Sequence, residues 1–123
     1  MTSTVESVVQ MIVAEPLVMG LGNLEVRSSG SGLLLEDPAE AILYAVRLCG
    51  GPVTDASIIR LVEYWAAVRR EYPGRRCIAV FAAEQMSTRY RDVLAAITGA
   101  VPLLVLEMSS ADGAPRFTRL SLP

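Results

Sequence analysis

Seven consecutive residues, Cys77-Ile-Ala-Val-Phe-Ala-Ala83, carry no charge and show no apolar–polar alternation. A run of that kind suits a strand covered on both faces, as in a parallel sheet. Its flanks narrow the choice. Upstream, Ile58, Leu61, Val62, Trp65 and Val68 recur at three- and four-residue spacing, which is one face of a helix. Arg60, Glu63, Arg70 and Glu71 fall on the other face. Thr54 supplies the cap, and the stretch to Tyr72 spans about 28 Å at 1.5 Å per residue. Pro73-Gly74 ends it, because proline cannot continue a helix and glycine relaxes the turn. Downstream, Ser87 or Thr88 caps a shorter helix with Tyr90, Val93, Leu94 and Ile97 on its buried side and Gly99 as its stop. Val101-Pro-Leu-Leu-Val-Leu106 is a second covered strand, with the proline tolerated near its first residue. Helices alternating with covered strands predict an α/β layer fold.

The rest of the chain adds hairpins. Ser3 and Glu6 form a capping box ahead of a helix with Val5, Val8, Val9 and Ile12 on one face. Glu15-Pro16 ends it, and Met19 to Gly22 is a connection. Leu24 to Ser28 alternates as a short strand, Ser28-Ser-Gly-Ser-Gly32 is turn chemistry, and Leu33-Leu-Leu35 returns as a second strand. Asp37-Pro38-Ala39-Glu40 turns again. Ala41 to Cys49 is a third strand, with Ile42, Tyr44, Val46 and Leu48 on one face and Leu43, Ala45, Arg47 and Cys49 on the other. Gly50-Gly51-Pro52 closes it. Near the end, Ser109 to Pro115 reads as a polar loop and Arg116 to Leu122 as an edge strand. The order αβββαβαβ, plus that edge strand, predicts a mixed sheet flanked by helices.

Composition bounds the function. The 123 residues, 52% of them hydrophobic, fit one folded domain, residues 1–123. No apolar run reaches the ~18 residues of a membrane span, and no basic start precedes an apolar segment as in a secretory signal. Cys49 and Cys77 read as buried thiols of a reducing compartment, hence a cytoplasmic protein. With no histidine and two cysteines, the composition speaks against a structural zinc site and excludes a Ser/His or Cys/His nucleophile. No GxGxxG or Walker pattern occurs. All eleven basic residues are arginine, which a coding bias explains as well as function does. Met1 to Ala45 holds six acids and one arginine, whereas Arg47 to Pro123 holds ten arginines and seven acids. Neither half is basic enough to predict nucleic-acid binding from charge alone.

Several stretches carry a resemblance. They are Leu33-Leu-Leu-Glu-Asp-Pro38, Thr54-Asp-Ala-Ser-Ile-Ile-Arg60, Glu63-Tyr-Trp65, Arg70-Glu-Tyr-Pro73, Ala79-Val-Phe-Ala-Ala-Glu84, Thr88-Arg89 and Val101-Pro-Leu-Leu104. In this order they resemble the PD-(D/E)XK nuclease superfamily, the restriction-endonuclease-like fold, and most of all its small bacterial members. The likeness spans roughly residues 32 to 108, and Glu63-Tyr-Trp with Arg70-Glu-Tyr-Pro is its most specific part. It implies an acid before the second strand and two ligating groups two residues apart on the third. Period two would turn that pair toward one magnesium ion, which activates water and stabilises charge on the scissile phosphate. Carried over residue by residue, these positions fall on Gly32, Ala45 and Arg47. The first two have no ligand atom, and the third is a permanent cation that repels magnesium.

The resemblance therefore implies a nuclease scaffold with a degenerate site, no catalytic residues and no cofactor, acting by binding nucleic acid or a protein partner. Arg47, Arg69, Arg70, Arg75 and Arg76 are the candidate contacts, the last four clustered around the end of the long helix. They equally complement the helix dipole. One alternative is an active magnesium-dependent nuclease with relocated acids, Glu25, Glu36 and Asp37, or an engineered Ala45 knockout of one. Another is a scaffold or inhibitor with no nucleic-acid role. Glu36 and Asp37 also read as a solvated turn after the strand. Tyr64 and Trp65 read as core or interface aromatics, and Glu84-Gln85 as a helix-entry loop. The terminal edge strand and the superfamily's habits point to a homodimer, by symmetric twofold pairing.

Overall fold

The computed structural model describes residues 5–28, 32–111 and 114–121. Helix α1 (Val5–Ala14) leads through a 3₁₀ turn (Pro16–Met19) into β1 (Glu25–Ser28), β2 (Leu33–Asp37) and β3 (Ile42–Pro52). Then follow α2 (Asp55–Glu71), β4 (Arg76–Gln85), α3 (Thr88–Ile97), β5 (Leu103–Ala111) and β6 (Ala114–Arg119). The strands form one sheet in chain order. β1, β2 and β3 pair antiparallel, β3, β4 and β5 pair parallel, and β6 returns antiparallel on β5. This is the mixed α/β sheet that the sequence pattern predicts.

The unalternating run became the central strand. Ala79, Val80, Phe81, Ala82 and Ala83 are all 1% exposed or less, because helices cover both faces. On one face, Ile58, Leu61 and Trp65 of α2 and Leu94 of α3 pack with Leu43, Ala45, Ala79 and Phe81. Two right-handed crossovers running the same way along a sheet put both helices on one side. On the other face, Val8 and Ile12 of α1 and Met19 pack with Tyr44, Val46, Val80 and Leu106. The two faces of β3 divide as its alternation requires. The α2 capping box forms: Ser57 N–H donates to the Thr54 hydroxyl at 3.2 Å and Thr54 N–H to the Ser57 hydroxyl at 3.1 Å. At the other end of α2, the buried Trp65 indole donates to the Cys77 carbonyl at 3.0 Å, fixing the helix to the start of β4.

Four boundaries differ from expectation. Leu33–Leu35 extends through Glu36 and Asp37, so these acids lie on the sheet rather than on a turn beyond it. Their pairing with Leu43 and Ile42 holds them there. β3 runs past Cys49 to Pro52 through an irregularity at the glycines, where Gly51 takes φ 130°. Of the expected loop 109–115, the described residues are strand: Ser109 pairs with Arg116, Ser110 with Pro115 and Ala111 with Ala114, while residues 112 and 113 lie outside the described residues. Backbone pairing overrode the polarity of Ser109 and Ser110. The covered strand after α3 starts at Leu103 rather than Val101, with the Pro102 carbonyl accepting from Ala79 N–H at 2.8 Å. The capping serine at position 3, the turn residues 29–31 and the end of the expected edge strand at 122 lie outside the described residues.

Candidate functional site: a filled ligand position and an arginine groove

β2 and β3 bring the three expected ligand positions together on the α2 side of the sheet. Leu33 pairs with Val46 and Leu34 with Ala45, so continuing the register by one residue sets Gly32 opposite Arg47. Ala45 is fully buried between Leu34 and Ala79. Arg47 is half-buried beside Phe81. Tyr64 of α2 occupies the space in front of Gly32. A Cβ on Gly32 would meet the Tyr64 ring at 2.6, 2.8 and 2.9 Å, well inside van der Waals contact. Burial pushes the Tyr64 phenol up to about 12, with the Arg47 charge and a hydrogen bond with Ser28 offsetting part of that rise. The phenol therefore stays neutral beside Ser28, Gly32 and Arg47. These positions offer magnesium no side-chain oxygen except that neutral phenol, next to a guanidinium, and do not fit the ion.

Glu36 is two rungs further along. It pairs with Leu43 and with Glu25 in the ladder, and its side chain is only 12% exposed. Two arginines neutralise it. Arg27 Nε lies 3.0 Å from one carboxylate oxygen, and the Arg75 guanidinium donates to the other. Asp37 Oδ1 accepts from Ala39 N–H at 3.0 Å and Glu40 N–H at 3.1 Å, and so shapes the following turn. Among the described residues no three His, Cys, Asp or Glu side chains converge as a metal site would need.

The other arginines gather at the C-terminal end of α2. Arg69, Arg70, Arg75 and Arg76 line an open groove of about 720 Å³ with Tyr72 and Gly74. A smaller hollow of about 320 Å³ shares Arg69, Arg75 and Arg76 and runs past Trp65 to Pro102. The Arg69 guanidinium lies 4.8 Å from the Trp65 ring centroid, within cation–π range. Arg75 is held by Glu36. Arg70 and Arg76 are exposed. The groove does not join Arg47. In the parallel pairing of β3 with β4, Ile42 faces Arg76 and Arg47 faces Phe81. Five residues of strand, about 16 Å at ~3.3 Å each, separate the two.

Two of these features had no readable signal in the sequence. Tyr64 shows only helical spacing, and its meeting with Gly32 depends on how α2 crosses the sheet. Glu36 as the anchor of Arg27 and Arg75 requires three segments to converge. The four-arginine cluster, by contrast, was visible from proximity along the chain.

No family model and no curated protein matches the sequence. Solved structures do. A repair endonuclease from Pyrococcus abyssi superposes with a TM-score of 0.60 at 13% identity, over 78% of this chain and 45% of that one. EndoMS, solved as a complex with double-stranded DNA, superposes with a TM-score of 0.59 at 16% identity, over 80% of this chain and 42% of that one. The chain thus spans less than half the length of either structure. At such low identity the likeness speaks for architecture alone: the chain shares the mixed α/β fold of these two structures.

Proposed function

We propose that this chain is a nuclease-like domain that binds nucleic acid without cutting it and works without a divalent metal. One observation carries the reading: the Tyr64 ring fills the space where an acid at position 32 would project. Ala45 supplies no ligand beside it, and Arg47 adds a charge of the wrong sign. At ~4 Å and an effective dielectric of ~20, two like unit charges repel by on the order of 4 kcal/mol. Glu36, the carboxylate that a relocated site would have to use, is already neutralised by Arg27 and Arg75.

Nucleic acid is favoured as the ligand by the arginine groove and by a fold that one structural neighbour uses while holding DNA. A protein partner is the competing reading. The same proposal puts the domain in the cytoplasm, where its two free thiols stay reduced. It also makes the domain a homodimer, with a light-scattering mass about twice 13.2 kDa. Among the described residues no helix is long and apolar enough to cross a membrane.

The test runs labelled duplex DNA and labelled RNA with the protein and magnesium or manganese on native and denaturing gels. The reading expects a shifted band that weakens with salt and full-length strands after denaturation. Absence of any shift at low salt would reject nucleic acid as the ligand.

A further inference from the structure

The groove at the C-terminal end of α2 opens at the start of the parallel strands, three residues of β3 from Ala45 and five from Arg47. We infer that this groove, and not the surface around Gly32, Ala45 and Arg47, grips the nucleic-acid backbone, with Arg70 and Arg76 contacting phosphate and Arg69 and Arg75 beside them, held by Trp65 and Glu36. This rests on the nucleic-acid reading above and adds where and how the ligand is held.

The four arginines differ in freedom. Arg69 is stacked on Trp65, itself tied to the Cys77 carbonyl. Arg75 is anchored by Glu36. Arg75 thereby loses less side-chain entropy when a ligand arrives, and the stacking biases the exposed Arg69 toward the groove. Arg70 and Arg76 are exposed on the groove wall and are able to turn toward an incoming anion. No acidic side chain lines the groove. Of the carboxylates at this end of the sheet, Glu36 is spent on Arg27 and Arg75, and Asp37, across Ile42 from Arg76, is turned to the Ala39 and Glu40 N–H groups. An open trough of about 720 Å³ is far larger than one inorganic phosphate needs and suits a run of backbone. Guanidinium forks match phosphate oxygens two at a time. Around Gly32 the opposite holds, since Tyr64 fills the hollow and Arg47 is half-buried.

The experiment measures fluorescence anisotropy of a short labelled duplex across a salt series. Proteins compared are wild type, Arg70→Gln/Arg76→Gln, and the charge-matched control Arg60→Gln/Arg116→Gln, whose residues are exposed elsewhere on the surface. Circular dichroism melts verify that each folds. Each phosphate contact contributes about 0.9 to the slope of log affinity against log salt. The groove pair is expected to flatten that slope by about 2 units and weaken binding at least tenfold, and the control pair to change it little. Equal losses in both pairs would mean diffuse attraction and overturn the inference. Tight, salt-sensitive duplex binding that ignores the groove pair would overturn it while sparing the nucleic-acid reading. A wild type that binds no duplex would instead remove the reading on which it rests. If poly-glutamate competes as well as unlabelled duplex and is lost with the same groove pair, the groove is a general polyanion site and the nucleic-acid assignment falls.

Discussion

Tyr64 and Gly32 are mutually dependent: the ring carbons Cζ, Cε1 and Cε2 lie 2.6, 2.8 and 2.9 Å from where a Cβ on residue 32 would stand. Only glycine leaves room for the tyrosine, and only the tyrosine closes the hollow that the glycine leaves. Gly32→Ala is therefore expected to destabilise by about 1–2 kcal/mol, at the lower end of overpacking costs because the outer part of the ring is able to swing. In a Tyr64→Ala background the same change should cost little. Urea melts of the four-protein cycle measure the coupling, and additive costs would separate the two residues. Rebuilding ligands with Gly32→Asp, Ala45→Glu and Arg47→Lys should give no manganese binding by calorimetry while Tyr64 is present.

Trp65→Ala should cost roughly 3–5 kcal/mol, the range for losing a large buried ring. Trp65→Phe keeps most of the packing but leaves the buried Cys77 carbonyl without its donor, an expected loss of about 1–2 kcal/mol. Chemical denaturation gives both values. A Trp65→Ala protein as stable as wild type would mean that α2 is not fastened through this ring.

Glu36→Gln should destabilise by about 1–3 kcal/mol, because Arg27 and Arg75 lose their shared carboxylate and Arg75 is partly buried. Denaturation of Glu36→Gln alongside Asp37→Asn separates the ion pair from the turn. Asp37→Asn should cost less, since an amide oxygen still accepts from the Ala39 and Glu40 N–H groups.

Much of this architecture is legible in the sequence, and the reasons are local. The apolar run Cys77–Ala83 and the helix-period face ending at Val68 depend on nearest neighbours, so pattern alone locates β4 and α2. The strand at Ser109–Ala111 is hidden because two of its three residues are serine and carry no apolar signal. Glu36 looks like a turn acid until Arg27 and Arg75 are brought to it from two other segments. Gly32 reads as an absence of chemistry, and only the crossing of α2 reveals the ring in its place.

Alkaline pH should loosen the fold in stages. Burial pushes the Cys77 thiol up to about 11 from 9.0, and Tyr64 up to about 12 from 10.0. In both cases the folded value exceeds the unfolded one, so the folded state holds the proton more tightly. The stability this gives is complete below pH 9 and drains away as pH rises from 9 through 12. Tyr64→Phe should flatten the upper part of that fall, read from urea midpoints across the pH series. At pH 8 Cys77 should react with a thiol reagent more slowly than the half-buried Cys49.

The central claim is the lost cutting site, and the direct measurement is cleavage by the wild-type chain. Labelled DNA and RNA are incubated with protein from successive purification steps, with magnesium or manganese. The account predicts intact strands at every step, because Gly32 and Ala45 carry no ligand and Arg47 carries a positive charge. Metal-dependent cleavage that stays with the protein through purification and disappears in Glu36→Ala or Asp37→Ala would contradict it, since the site would then have moved along β2 rather than died.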